Sequence, residues 1–179
     1  MSTGTISVET FAKMFLAGAK RLESKKEWIN ELNVFPVPDG DTGTNMSLTI
    51  SCAIKELNKV EKDDIGQLGK ALSKGSLMGA RGNSGVILSQ IIRGIAKSIE
   101  GKETLNSMDI AEALKNGSDT AYKAVIKPVE GTILTVVRES SDYALKAAAL
   151  EEDVIEFMKL LVKEANNSLD RTPELLHAL

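Results

Sequence analysis

The sequence predicts an all-α domain, and three observations carry that prediction. Apolar residues recur three and four apart along most of the chain, the spacing of one helix face. No segment alternates apolar and polar residues convincingly in the manner of a half-buried strand, and no internal repeat is present. Ala, Leu, Ile, Lys and Glu are abundant while aromatic residues make up only 4%, a composition that leans helical. Roughly seven to nine helices with short connections are expected.

In order, Ser7 is placed to cap a first helix, with Val8, Phe11, Phe15, Ala19 and Leu22 on one face. Lys25 to Leu32 reads as a short second helix with Trp28 and Leu32 four apart. A third runs from about Gly43 to Leu57, with Met46, Leu48, Ile50, Ala53, Ile54 and Leu57 mostly inward. After the polar linker Glu61 to Asp64, Ile65 to Leu77 forms a fourth, weakened by Gly66, Gly69 and Gly75. A fifth spans Val86 to Ser98. Gly101 to Ser107 is a loop whose Ser107 caps a helix from Met108 to about Val125, ended by Pro128. TILTVV, after Glu130-Gly131, is β-branched and reads as a strand in isolation; its continuation through Tyr143-Ala144 and Ala147-Ala148 favours a helix from Ile133 to Leu150. A long helix follows from about Asp153 to Leu169. Thr172-Pro173-Glu174 then starts a separate final turn, because proline suits the first helical position.

With 179 residues, the chain is long enough for one domain with a real core. A net charge of −3 argues against an extensive basic surface and hence against a nucleic-acid partner. Cys52 is the only cysteine, so no internal disulfide forms, and a cytoplasmic location is expected. The N-terminus lacks a basic segment followed by an apolar run, the mark of a signal peptide. The longest apolar stretch, Val86 to Ile99, is broken by Ser89, Gln90, Arg93 and Lys97 and is too short and polar for a transmembrane segment. A homodimer is compatible with all of this.

The chemistry concentrates in NVFPVPDGDTGTNM, Asn33 to Met46. Pro36 and Pro38 stiffen the approach. Asp39 and Asp41 flank Gly40, and Gly43 follows. Thr42, Thr44 and Asn45 offer short polar side chains at a helix start. Carboxylate oxygens suit Mg²⁺, and helix N-terminal N–H groups suit phosphate. Taken alone, Asp-Gly-Asp also reads as a solvated turn. An EF-hand register fails, since Thr44 and Ile50 stand where Gly and Glu are required. A phosphatase-type DxDGT fails at Thr42, and there is no GxxxxGK[ST] loop.

A second glycine-rich stretch, GSLMGARGNSGVILSQ, places Gly79, Gly82 and Gly85 three apart, with Asn83 and Ser84 before an apolar helix. It reads either as a tight interhelical turn or as a second phosphate cradle, with Arg81 adding charge or sitting in solvent. Cys52 reads as a small core residue. His177 is the only histidine, so a histidine-based metal cluster is excluded, as is a Ser-His-Asp or Cys-His pair built on any other histidine; it reads as a surface or packing residue.

Together, NVFPVPDGDTGTNM and GSLMGARGNSGVILSQIIRG resemble the DhaL-type (DAK2) nucleotide-binding domain shared by the dihydroxyacetone kinase L subunit and bacterial fatty acid kinase A. The wording of both motifs is nearest to the fatty acid kinase branch, and the resemblance covers essentially the whole chain. It implies an antiparallel eight-helix barrel with ATP and two Mg²⁺ at one end. It implies Asp39 and Asp41 as metal ligands, with Asn33 where the family has a third Asp and one extra residue of spacing. Thr42-Gly43-Thr44-Asn45 would contact phosphate, as would Asn83-Ser84 with Gly85. Thr132-Ile133 would lie near adenine, with Ala124 where the family has glycine. Arg171 or Thr172 falls near the family's late nucleotide-contacting arginine. The family's Asp-Pro-Gly or Asp-Ala-Gly contact has no counterpart before Leu179, so residues 1–179 read as a single kinase domain from the N-terminal part of a longer protein.

The implied reaction is phosphoryl transfer from ATP, yielding ADP, to a fatty acid held by a separate fatty-acid-binding partner protein that docks on regions outside this chain. The acyl phosphate would feed phospholipid synthesis. A carboxylate acceptor is already ionised at neutral pH, given a reference pKa of about 4, so no general base is needed. Two rivals remain at this level: a dihydroxyacetone (glycerone) kinase L subunit, and a nucleotide-sensing helical domain without turnover.

Overall fold

A computed structural model describes residues 3–176, and His177 to Leu179 lie outside it. Eight helices follow one another: α1 (Val8–Ser24), α2 (Lys26–Glu31), α3 (Thr42–Leu57), α4 (Ile65–Gly79), α5 (Gly82–Ser98), α6 (Ser107–Ala124), α7 (Ile133–Ala148) and α8 (Val154–Leu175). Among the described residues the only strand-like feature is an isolated antiparallel bridge between Ile6 and Leu105. TILTVV is helical, with the Thr132 hydroxyl capping α7 through Leu134 N–H.

From α3 onward, successive helices pack side by side and antiparallel. Gly75 on α4 lies so close to α3 that an added Cβ would meet Ala53 Cα at 2.7 Å. Gly94 on α5 and Gly117 on α6 face one another at a similar approach. The glycines of α4 therefore serve packing, a role that outweighs their low helix propensity. Alternating direction brings the starts of α3, α5 and α7 to one end of the array. At the other end Thr3 N–H donates to Asp153 Oδ2 and Val154 N–H to Thr3 O, tying the segment before α1 to the start of α8.

The core has three adjoining parts. Phe11, Ile50, Leu57, Leu68, Leu72, Ile92 and Ile99 form the first; Ala111, Ala144, Phe157 and Leu161 the second; Ile91, Ala121 and Leu134 the third. Full burial of a side chain such as Phe157 contributes about 1.5–3 kcal/mol.

Several sequence expectations are corrected. Leu48 is half exposed, because the buried stripe of α3 runs through Gly43, Ser47, Ile50, Ala53 and Leu57, and Leu48 falls off it. The short helix α2 forms as expected, and its Trp28 and Leu32 are exposed, since α2 meets α3 through Lys26 and Asn30, on the opposite face from Trp28. Helix α5 starts at Gly82 rather than Val86. Asn106, not Ser107, caps α6, in a reciprocal capping box with Asp109. The end of α6 at Ala124, with Val125 as its cap, agrees with the expected end near Val125. Helix α8 continues through Pro173 instead of stopping near Leu169. Pro173 has no N–H for the Leu169 carbonyl, and the Thr172 hydroxyl donates to it at 2.7 Å.

Candidate functional site

The two glycine-rich motifs, some forty residues apart in sequence, meet at the array end where α3 and α5 begin. Gly82 sits at φ +59 with its α-carbon against the Asn45 side chain. One turn on, a Cβ at Gly85 would lie 2.4 Å from Thr49 Oγ1 and 3.4 Å from Asn45 O. Only glycine at these positions lets the first turn of α5 lie along the first turn of α3. Thr49 Oγ1 donates to Asn45 O at 2.8 Å, turning its hydroxyl back into α3.

Ahead of α3 the Asp loop is held from within. Asn33 Nδ2 donates to Val37 O at 2.9 Å, while Asn33 Oδ1 accepts from Asp41 N–H at 3.1 Å and Thr42 N–H at 3.3 Å. Its amide thus braces the loop with both ends. Gly40 takes φ +68 between the two aspartates. Asp39 and Asp41 are exposed, and neither carboxylate has a hydrogen-bond or ion-pair partner among the described residues.

The first turn of α3 is less open to an anion than its sequence implies. Thr42 N–H is taken by Asn33, and Thr44 N–H is taken at 3.0 Å by Asn30 Oδ1. Asn30 Nδ2 returns a bond of 3.0 Å to Thr44 Oγ1. Gly43 is buried, because a Cβ there would meet Lys26 O at 2.1 Å. The first turn of α5 differs. Arg81 provides no side-chain cap, and the N–H groups of Gly82, Asn83 and Ser84 have no acceptor among the described residues. Three uncapped donors at a helix N-terminus favour an anion.

The third expected piece, Thr132-Ile133, opens α7 at the same end. Thr132 Oγ1 donates to Val129 O at 2.8 Å and accepts from Leu134 N–H. The turn before it is fixed by Glu130, which pairs with Arg138 at 2.8 Å and accepts from Thr135 Oγ1 at 2.7 Å. Burial raises the Tyr122 hydroxyl above its usual range, where it donates to Glu130 at 3.4 Å. Ala124 is the exposed last residue of α6. Of the two late candidates, Arg171 is held by Glu139 at 2.7 Å and Glu164 at 3.2 Å, whereas the Thr172 carbonyl lies at Gly131, beside the α7 start.

Thr132-Ile133 and the α3–α5 junction share an end of the array, and among the described residues no hydrogen bond joins them. Asn30, whose amide clamps Thr44 at the start of α3, is the residue of this candidate site that sequence reasoning missed. Its signal was present as a second asparagine one helical turn before Asn33. A groove of about 250 Å³ beside α3 and α4 is lined by Glu56, Lys59, Lys70 and Lys74. Those lysines already pair with Glu56 and Glu100, and the motifs lie elsewhere.

Residues 36–179 match the DAK2 domain. The chain belongs to the DAK2-domain family, which is associated with kinases and nucleotide binding. It is 54% identical to protein YloV of Bacillus subtilis over 179 residues, all of this chain and 32% of that protein. Uncharacterized proteins of Staphylococcus saprophyticus and Staphylococcus aureus (strain USA300) are 52% and 51% identical over 174 residues, 97% of this chain and 32% of each relative. The chain therefore spans about a third of the length of these relatives. No helix among the described residues is long and apolar enough to cross a membrane.

Proposed function

We propose that residues 1–179 form one domain that binds Mg²⁺ and ATP where α3 and α5 begin, and passes the γ-phosphoryl group to a fatty acid presented by a separate binding protein. The observation that carries this reading is a pairing of opposites at one junction. Among the described residues, two carboxylates without a partner, Asp39 and Asp41, precede α3, and three N–H groups without an acceptor open α5 within about one helical turn of Asn45.

Two carboxylates are a sufficient protein contribution for Mg²⁺, which ordinarily keeps water and substrate phosphates as its other ligands. Among the described residues no cluster of three or more acidic, His or Cys side chains offers a fuller cage. Asp39 and Asp41 would hold the ion, and its charge would offset that of the triphosphate. Asn33 was expected as a further ligand; with both lone pairs of Oδ1 engaged, we assign it to bracing the loop that carries the aspartates. The second ion of the family pattern is left to phosphate and water oxygens.

The chain's own part is positioning and donation. The N–H groups of Gly82, Asn83 and Ser84, with the Ser84 and Thr44 hydroxyls, would point at β and γ oxygens, and Gly43, Asn45 and Gly85 shape the cradle. Thr132-Ile133 would border the base. Donors fixed before the reaction lower its barrier without reorganising. The acceptor carboxylate is ionised at neutral pH, at a reference pKa of about 4, so no proton need be removed.

Calorimetric titration of the chain with ATP, with and without Mg²⁺, tests the site. Tight binding only with Mg²⁺ is expected; equal affinity without the ion, or no binding, would refute it. Pairing the full-length relative with fatty-acid-loaded or dihydroxyacetone-loaded partner and following γ-phosphate decides the acceptor, and turnover only with dihydroxyacetone would overturn the fatty acid assignment.

A further inference from the structure

We infer that Asn30 is a positioning residue that makes Thr44 a hydrogen-bond donor toward the phosphate; this rests on the proposed ATP site. The orientation of the Asn30 amide against Thr44 cannot be reversed. Thr44 N–H can only donate, and it meets one atom of the Asn30 amide at 3.0 Å. That atom must be the carbonyl Oδ1, because an NH₂ group cannot accept. The other amide atom is then Nδ2, which can only donate. It lies 3.0 Å from Thr44 Oγ1, with Glu27 Oε2 at 3.5 Å as a second acceptor.

Thr44 Oγ1 is thereby the acceptor in its bond with Asn30, and its own hydrogen is committed nowhere among the described residues. A hydroxyl that has already accepted retains a donor to offer, and a phosphate oxygen can only accept. The same side chain removes Thr44 N–H from the anion's reach and substitutes the hydroxyl for it. Gly43 is what allows this clamp to close, since a Cβ at that position would lie 3.0 Å from Asn30 Oδ1 and 2.1 Å from Lys26 O. One short helix therefore sets the hydrogen-bond polarity of the next.

Asn30→Asp isolates the effect, because it keeps the shape and the acceptor for Thr44 N–H. The second carboxylate oxygen would instead accept from the Thr44 hydroxyl, drawing its hydrogen away from the site. Mg²⁺·ATP affinity is expected to fall about tenfold or more, with an unchanged helical spectrum. The added charge alone would also weaken anion binding, so the cycle is completed with Thr44→Val and Thr44→Ser. If Asn30 acts through the hydroxyl, Asn30→Asp loses most of its effect in the Thr44→Val background and keeps it in the Thr44→Ser background. Unchanged affinity in Asn30→Asp, or an equal loss in both Thr44 backgrounds, overturns the assignment while leaving the ATP site standing. Absence of ATP binding by the unmodified chain overturns both.

Discussion

Asn45 in the first turn of α3 packs its side-chain amide against Gly82, the first residue of α5. A Cβ on Gly82 would come within 2.4 Å of Asn45 Nδ2. This contact joins the two glycine-rich motifs and sets the start of α5 against the start of α3. Gly82→Ala is expected to cost about 1–3 kcal/mol, from a left-handed φ that alanine adopts poorly and from displacement of Asn45. Urea unfolding checks the stability. Mg²⁺·ATP affinity should fall with it, and a variant as stable and as tightly binding as the parent would show that the junction tolerates a side chain.

The buried Thr135 hydroxyl accepts from Gly131 N–H at 2.9 Å and donates to Glu130 at 2.7 Å. Thr135→Val keeps the volume and leaves the Gly131 N–H without its partner. A loss of about 1–3 kcal/mol in urea unfolding is expected. Glu130→Gln, on a half-exposed pair with Arg138, should cost less because water screens that pair. The reverse order would place the weight of the turn on the ion pair.

Glu139 joins α7 to α8. The Ser168 hydroxyl donating to its carboxylate, and then the Arg171 guanidinium, hold it below the usual carboxylate range. A depressed folded value means the unfolded chain binds the proton more readily. Glu139 therefore contributes stability above the ordinary carboxylate value of about 4.3, and that contribution is lost as pH falls through the depressed folded value. Thermal melts from pH 7 to pH 3 should show a smaller acid-side decline in Glu139→Gln than in the parent. Parallel profiles would show that the group titrates alike in both states.

Asp39→Ala combined with Asp41→Ala removes both exposed carboxylates and no observed contact. Mg²⁺-dependent ATP binding should be abolished, by more than about a hundredfold, while the helical spectrum and the melting temperature stay close to those of the parent. Retained affinity would move the metal away from this loop.

The helices were legible wherever burial followed the 3.6-residue period, as with Phe11 on α1 and Phe157 and Leu161 on α8. Departures came from partners that sequence spacing does not reveal. Pro173 reads as a helix start until a neighbouring hydroxyl is seen to satisfy the Leu169 carbonyl. Gly75 reads as a weak point until α3 is seen against it. At the site, the residue types of both motifs were readable, but the division of labour was not. The sequence shows two similar polar helix starts; only the Asn30 and Asn33 amides, reaching Thr44 and Thr42 from outside α3, reveal that one is capped and the other open.

The most direct measurement is a crystal structure of the chain with Mg²⁺ and a non-hydrolysable ATP analogue. The β and γ phosphates are expected at the N–H groups of Gly82, Asn83 and Ser84, with Mg²⁺ between them and the carboxylates of Asp39 and Asp41. A triphosphate bound away from the start of α5, with both aspartates still turned to solvent, would contradict that placement.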